Sequence, residues 1–260
     1  MLSLAKFNFA MIATISINET EIQVNLDKPI DISMPIHHGK DNPSAWYVDA
    51  PVIEPVRTDQ FTGAVAEGGS VNFRNILFNP HGNGTHTECV GHISTTVHSI
   101  NQVLKNFHFL ARLISITPTK LNNGDQIITS KQVFEKLGDS TPQAIIIRTL
   151  PNTDRKLSKQ YSNTNPPYIE PKAMTELIKR GIQHFLIDLP SVDRELDEGV
   201  LAAHHAFWEH PDHSNLERTI TELIYVPNRI KDGSYLLNLQ IAPFENDASP
   251  SKPILYEVLP

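Results

Sequence analysis

Apolar positions alternate with polar ones from residue 12 to residue 26. Ile12, Ile15 and Ile17 precede the polar Asn18-Glu19-Thr20, and Ile22, Val24 and Leu26 follow it, which predicts a β-hairpin. Residues 35–70 lose this periodicity. They are rich in Pro, Gly and polar side chains and carry Trp46 and Tyr47, so they read as a long loop whose aromatics either line a pocket or pack the loop down. After residue 98, helix and strand signals alternate: a helix over 99–106, a strand over 109–116, and a short helix capped by Ser130 and running to Leu137. The apolar run Ala144-Ile145-Ile146-Ile147 predicts a buried strand, followed by a polar loop at 151–167. Pro171 opens a helix through Arg180 with Gly181 just past its end, and residues 184–189 predict another buried strand with Asp188 near its C-terminal end. Such alternation predicts an α/β domain with parallel pairings. No repeat or linker divides the chain, so the expected organisation is an N-terminal hairpin region at 1–27 and one compact domain at 28–260.

Composition narrows the function. The 260 residues are 40% hydrophobic and 20% charged, the balance of a folded, water-soluble protein. A net charge of -7 without a basic run argues against nucleic acid, which leaves a small molecule as the expected partner. No stretch reaches the 18 or so apolar residues that cross a bilayer, so no membrane partner is expected. The single cysteine, Cys89, cannot form an internal disulfide, and residues 1–10 carry no clean signal-cleavage site, so the expected location is the cytoplasm. Met11 offers an alternative translation start.

Residues 81–92 are where chemistry concentrates. His81, His86, His92 and Glu88 fall within twelve residues, with Gly82, Gly84 and Gly91 between them. On an extended segment His86 and Glu88 leave the same face, and the glycines let the backbone turn and approach closely enough to bring His81 and His92 to the same point. Imidazole with carboxylate and no thiolate suits zinc, manganese or iron. A polar loop facing water is the bland alternative; repetition of His and carboxylate at ligand spacing weighs against it. Downstream, Asp188 to Asp193 follow a predicted strand at the end where open α/β sheets bind ligands. His204 and His205 come next, then Glu222 inside the apolar run 219–226, where a carboxylate is costly to bury unless it is paired or bound to metal. Cys89 as an activated nucleophile is a further reading, set against a small buried side chain beside a metal loop.

Thr85-His86-x-Glu88-x-x-x-His92, preceded by His81, resembles the HxGTHxDxxxH signature of the cyclase/kynurenine formamidase-like family of metal-dependent hydrolases. Ile30-Asp31-Ile32-Ser33, the Trp46 region, Asp188-Leu189-Pro190-Ser191-Val192-Asp193, Ala203-His204, the Glu222 run and Asp247-Ala248-Ser249-Pro250 resemble further family elements in order, over about residues 28–258. The chain has Glu88 where the family has Asp, one extra residue between His81 and the Gly-Thr-His triplet, Cys89-Val90 for Ala-Pro, and a longer interval from His204 to Glu222.

The resemblance implies a single domain of the swivelling β/β/α type, a homo-oligomer (dimer or tetramer), and one or two divalent ions, zinc or manganese. His81, His86, Glu88, His204 and Glu222 become the implied ligands, with His205 a rival to His204, and His92 becomes the implied acid/base. The expected activity is hydrolysis of a C–N bond in a small amide, an aryl formamide or cyclic amide, by metal-activated water. A polyketide-type cyclase or dehydratase on the same metal site, or a non-catalytic metal- or ligand-binding relative, are the alternatives.

Overall fold

The computed structural model describes residues 10–17 and 20–259; positions 1–9, which fall in the segment read for a signal sequence, the polar Asn18-Glu19 and Pro260 lie outside the described residues. The first hairpin forms as predicted, β1 (Ile12–Ile17) pairing antiparallel with β2 (Thr20–Asn25). Its Ile22 and Val24 are buried, and Val24 forms a bridge to Val258 while the amide of Leu259 donates to the carbonyl of Gln23. The N-terminal hairpin is thus stitched to the far end of the chain.

After β3 (Ile30–Asp31), the expected loop at 35–70 proves partly ordered. It contains β4 (Val52–Pro55), β5 (Arg57–Thr58) and β6 (Phe61–Thr62); β5 pairs with β6, and β4 pairs with β7 (Arg74–Leu77) further along. These ribbons escape sequence reading because they bury no apolar face: all four side chains of β7 are exposed.

The body follows. In chain order it comprises β8 (His86–Glu88), α1 (Ile100–Val103), β9 (His108–Ile116), β10 (Thr119–Lys120), β11 (Gln126–Ile128), α2 (Ser130–Leu137), β12 (Ala144–Thr149), β13 (Tyr168–Ile169), α3 (Pro171–Lys179), β14 (His184–Ile187), α4 (Ala202–Trp208), β15 (Thr219–Glu222), β16 (Gly233–Ile241) and β17 (Ala248–Glu257). Seven strands in the order β16-β9-β12-β14-β15-β8-β17 form one sheet, and β16 pairs back onto β17, so the sheet closes into a barrel with β3 attached to β17. Strands β9, β12, β14 and β15 run parallel, as the alternating signals predict; β8, β16 and β17 pair antiparallel with their neighbours.

Both faces of the parallel strands are covered, which explains their unbroken apolar runs. Ile145 and Ile147 pack outward with Val133 and Leu137 of α2 and Met174 and Leu177 of α3, whereas Ala144 and Ile146 pack inward with Leu113, Leu186 and Leu237. The result is one mixed α/β domain. Two local expectations change. α1 is a single turn rather than the predicted 99–106. The cap of α2 is Thr129, which forms a capping box with Gln132, while Ser130 lies within the helix and its hydroxyl reaches the Glu176 carboxylate. α3 begins on Pro171, and Gly181 beyond it takes the left-handed φ of 84°.

Candidate metal centre

Strand β8 carries the centre. It lies between β15 and β17, so that His86 stands opposite Glu222 and Glu88 stands opposite Ile220 and Ala248. Period-two geometry puts His86 and Glu88 on one face while Thr87, between them, turns its hydroxyl to Thr221 at 2.8 Å. The cross-strand pair brings His86 Nε2 to 3.5 Å from Glu222 Oε2 and 4.0 Å from Glu88 Oε2.

Glycine serves these loops by smallness. None of Gly82, Gly84 or Gly91 has a positive φ, so the expected sharp turns are not what they supply. A Cβ on Gly91 would sit 2.3 Å from the carbonyl oxygen of His98, and one on Gly82 would sit 2.5 Å from the Val48 side chain. Close backbone approach lets His81 come within 3.1 Å of Glu88 Oε2 through Nδ1, and His92 come within 3.8 Å of the same oxygen.

The remaining residues arrive from far along the chain. His204 on α4 places Nε2 at 3.1 Å from Glu88 Oε1 and 3.9 Å from Glu222 Oε1. The neighbouring rival, His205, turns away and its Nδ1 meets the carbonyl of His210 at 2.9 Å. Asp193 decides between them. Its carboxylate accepts the amides of Ala203 and His204 at the start of α4 and meets His204 Nδ1 at 2.6 Å, fixing both the helix start and the imidazole. Glu222 is likewise held, Oε1 accepting the amide of Val192 at 3.0 Å.

Two carboxylates were not singled out from the sequence. Asp193 appears there only inside a stretch matching the family, and Asp247 only inside the closing Asp-Ala-Ser-Pro. In the structure Asp247 lies 2.9 Å from His81 Nε2 and 3.4 Å from His92 Nδ1. Asp188 goes the other way: it serves no part of the cluster and binds Thr149 and Lys156 instead.

The electrostatics show what this arrangement accommodates. Burial works against charging His81 and His204, yet Asp247 and Glu88 around the first, and Asp193 and Glu88 around the second, raise each to about 10. Burial likewise works against ionising Glu88, but His92, His204 and His81 hold it well below the usual carboxylate range. Negative charge collected here therefore demands a positive counterpart, and a divalent ion competes with protons for the same lone pairs. His86 Nε2 and Glu88 Oε2 are buried and lack a hydrogen-bond partner among the described residues. Their positions fit a cation. His86 spends Nδ1 on the carbonyl of Gly84 at 3.0 Å and His204 spends Nδ1 on Asp193, so in each ring Nε2 is the nitrogen turned to the cluster, the arrangement found around metal-ligating histidines. Two overlapping sets present convergent atoms, His86 with Glu88 and Glu222, and His81 with Glu88 and His92. Glu88 belongs to both.

The comparisons follow the same direction. Residues 30–194 match the family described as "Putative cyclase". The chain belongs to this cyclase family. Among its relatives is a kynurenine formamidase of Bacillus thuringiensis subsp. konkukian, 26% identical over 231 residues, covering 87% of this chain and 96% of the relative. Among solved structures, a potential metal-dependent hydrolase with cyclase activity superposes with a TM-score of 0.65 at 16% identity, covering 90% of this chain and 99% of the other. Isatin hydrolase A from Labrenzia aggregata gives a TM-score of 0.66 at 14% identity over 89% of this chain and 94% of the other, a likeness of fold.

Other sequence readings settle locally. Cys89 is buried in the barrel core, its thiol is pushed up to about 11 chiefly by burial, and Sγ faces the carbonyl of His98, so it stays a protonated packing group. Trp46 lines the cavity beside the cluster and also packs on Ala45, Tyr161 and Leu223, satisfying both readings of that aromatic. Tyr47 is exposed and its hydroxyl donates to Asn163. Among the described residues no helix is long and apolar enough to cross a membrane.

Proposed function

We propose that this member of the cyclase family is a metal-dependent hydrolase of a C–N bond in a small amide, an aryl formamide or a cyclic amide. The observation that carries the reading is the pair of partnerless buried atoms, His86 Nε2 and Glu88 Oε2, which lie respectively 3.5 Å from Glu222 Oε2 and 3.1 Å from His81 Nδ1, two residues that line the adjoining cavity with His92 and His204. His81, His86, Glu88, His204 and Glu222 would hold the divalent ion or ions, zinc or manganese. Bound there, such an ion supplies charge that polarises an acyl carbonyl and eases deprotonation of an attacking water.

The chain's own groups provide the proton traffic. His92 is the proton carrier: its side chain is 31% exposed at the cavity wall, and with Nδ1 turned to Asp247, Nε2 is left to take and return a proton. It takes the proton from the water as oxygen adds to the carbonyl carbon, and gives it to the leaving nitrogen as the C–N bond breaks. Asp247 orients that ring and the His81 ring together. The kynurenine formamidase relatives support an amide substrate, and the family's fold neighbours support hydrolysis. Its setting would be a cytoplasmic homo-oligomer.

The test is chelation and reconstitution on a panel of aryl formamides and lactams. Turnover is lost on complete metal removal and returns with zinc or manganese. Full activity in metal-free protein contradicts the reading. Formation of a product without uptake of water marks a cyclase or dehydratase instead.

A further inference from the structure

The cavity beside the metal cluster encloses about 390 Å³. Arg194 is its one lysine or arginine among the described lining residues. We propose that Arg194 is a specificity residue which selects substrates bearing an anionic substituent, a carboxylate above all, on an aryl amide whose ring lies against Trp46. The inference rests on the amide-hydrolase reading for the reacting bond and on Arg194 alone for the substituent.

Arg194 is held as a fixed donor. Its Nε lies 3.0 Å from Asp125 Oδ2, and its Nη1 donates to the carbonyl of Leu196 at 2.7 Å. Asp125 is itself fixed, accepting Asn123 Nδ2 and Asn165 Nδ2 at 2.9 Å each and the Tyr168 hydroxyl at 3.2 Å. Nε meets Asp125 as an ion pair without a hydrogen bond, Nη1 makes one hydrogen bond, and Nη2 makes none among the described residues, on a side chain that keeps 41% of its surface exposed. The neighbouring acids do not compete for it. Glu195 accepts the amides of Asn163 and Asn165, and Asp197 accepts those of Gly199 and Leu201. Arg194 thus presents to the cavity a planar guanidinium restrained by one ion pair and one hydrogen bond, which suits a carboxylate and lowers the entropy cost of ordering a long side chain on binding.

Trp46 supplies the apolar counterpart. It sits in the left-handed region at φ 59°, and its packing on Ala45, Tyr161 and Leu223 holds the indole as a fixed wall of the same cavity. A flat ring against Trp46 with an acid reaching Arg194 uses both features.

The experiment compares 2-formamidobenzoate with formanilide on the metal-loaded protein, alongside equilibrium binding of benzoate and benzyl alcohol. Wild type is expected to favour the charged member of each pair by about tenfold or more, the scale of one charge-assisted contact. Arg194→Met brings both ratios close to one, and Arg194→Lys falls between because the charge remains but the fork is lost. Arg194→Lys also keeps a cation against Asp125, so it preserves the test if the methionine variant does not fold. Ratios unchanged by either substitution overturn the proposal, including the case in which benzoate binds the metal directly. If neither formamide is turned over, the amide-hydrolase reading fails, and the benzoate ratio still decides the role of Arg194.

Discussion

Glu88 and Asp188 are both carboxylates with no exposed surface, both in the strand network of one barrel, and they have opposite fates. Asp188 accepts the amide and hydroxyl of Thr149 and pairs with Lys156 Nζ at 2.7 Å, so each of its oxygens is engaged. Burial still pushes its pKa up despite Lys156, the mark of a group that costs free energy and returns rigidity. Glu88 faces four imidazoles and retains an oxygen without a hydrogen bond, and His86 retains a nitrogen in the same state. A closed network is architecture; one left open on both an acid and a base is a place for a cation.

That contrast breaks most visibly at Lys156. Lys156→Met leaves Asp188 buried without its cation, and the expected loss is about 3–5 kcal/mol of folding free energy in urea titration, with metal content per folded chain unchanged. A loss below about 1 kcal/mol would show that Asp188 is not settled by that pair.

His184 extends the settled side of the comparison. Buried between Phe109 and Thr219, it is lowered from 6.5 to about 4 by burial alone, so the native state holds it neutral. Protonation then favours unfolding: the neutral side chain's contribution is complete above about 6.5 and is lost as pH falls through about 4. The expected decrease across that window is about 3 kcal/mol, and His184→Gln should flatten it in urea titrations at the two ends.

The open side is sharpened at Asp193. Asp193→Asn removes the acid that fixes His204, and divalent-metal affinity should fall about 10–100-fold in a competition titration against a chromophoric chelator. Unchanged affinity would mean that His204 needs no orienting partner. The smallest effect is expected at Thr129→Ala, where losing the α2 cap costs about 1 kcal/mol and leaves metal binding untouched.

How much of this could be read in the chain depends on how local the determining physics is. The strand at Ala144–Ile147 and the helix from Pro171 to Gly181 announce themselves through their own residues, and both form nearly where expected. The same-face placement of His86 and Glu88 is a property of any extended segment and holds. The choice between His204 and His205 is not local, because helix phase at α4 is set by Asp193 ten or so positions earlier. Asp247 was hidden for a related reason: the pairing of β17 with β8 delivers it to His81 across 166 positions of sequence. The ribbons within 52–77 left no apolar alternation to detect.

The most direct test is a titration of chelator-treated protein with zinc or manganese, followed by calorimetry and thermal unfolding. Tight binding of one or two ions per chain with a rise in Tm, abolished by Glu88→Gln and retained by Lys156→Met, is the predicted result. Absence of binding to the wild-type protein, with an unchanged Tm, would contradict the assignment of the His86–Glu88 cluster as a metal centre.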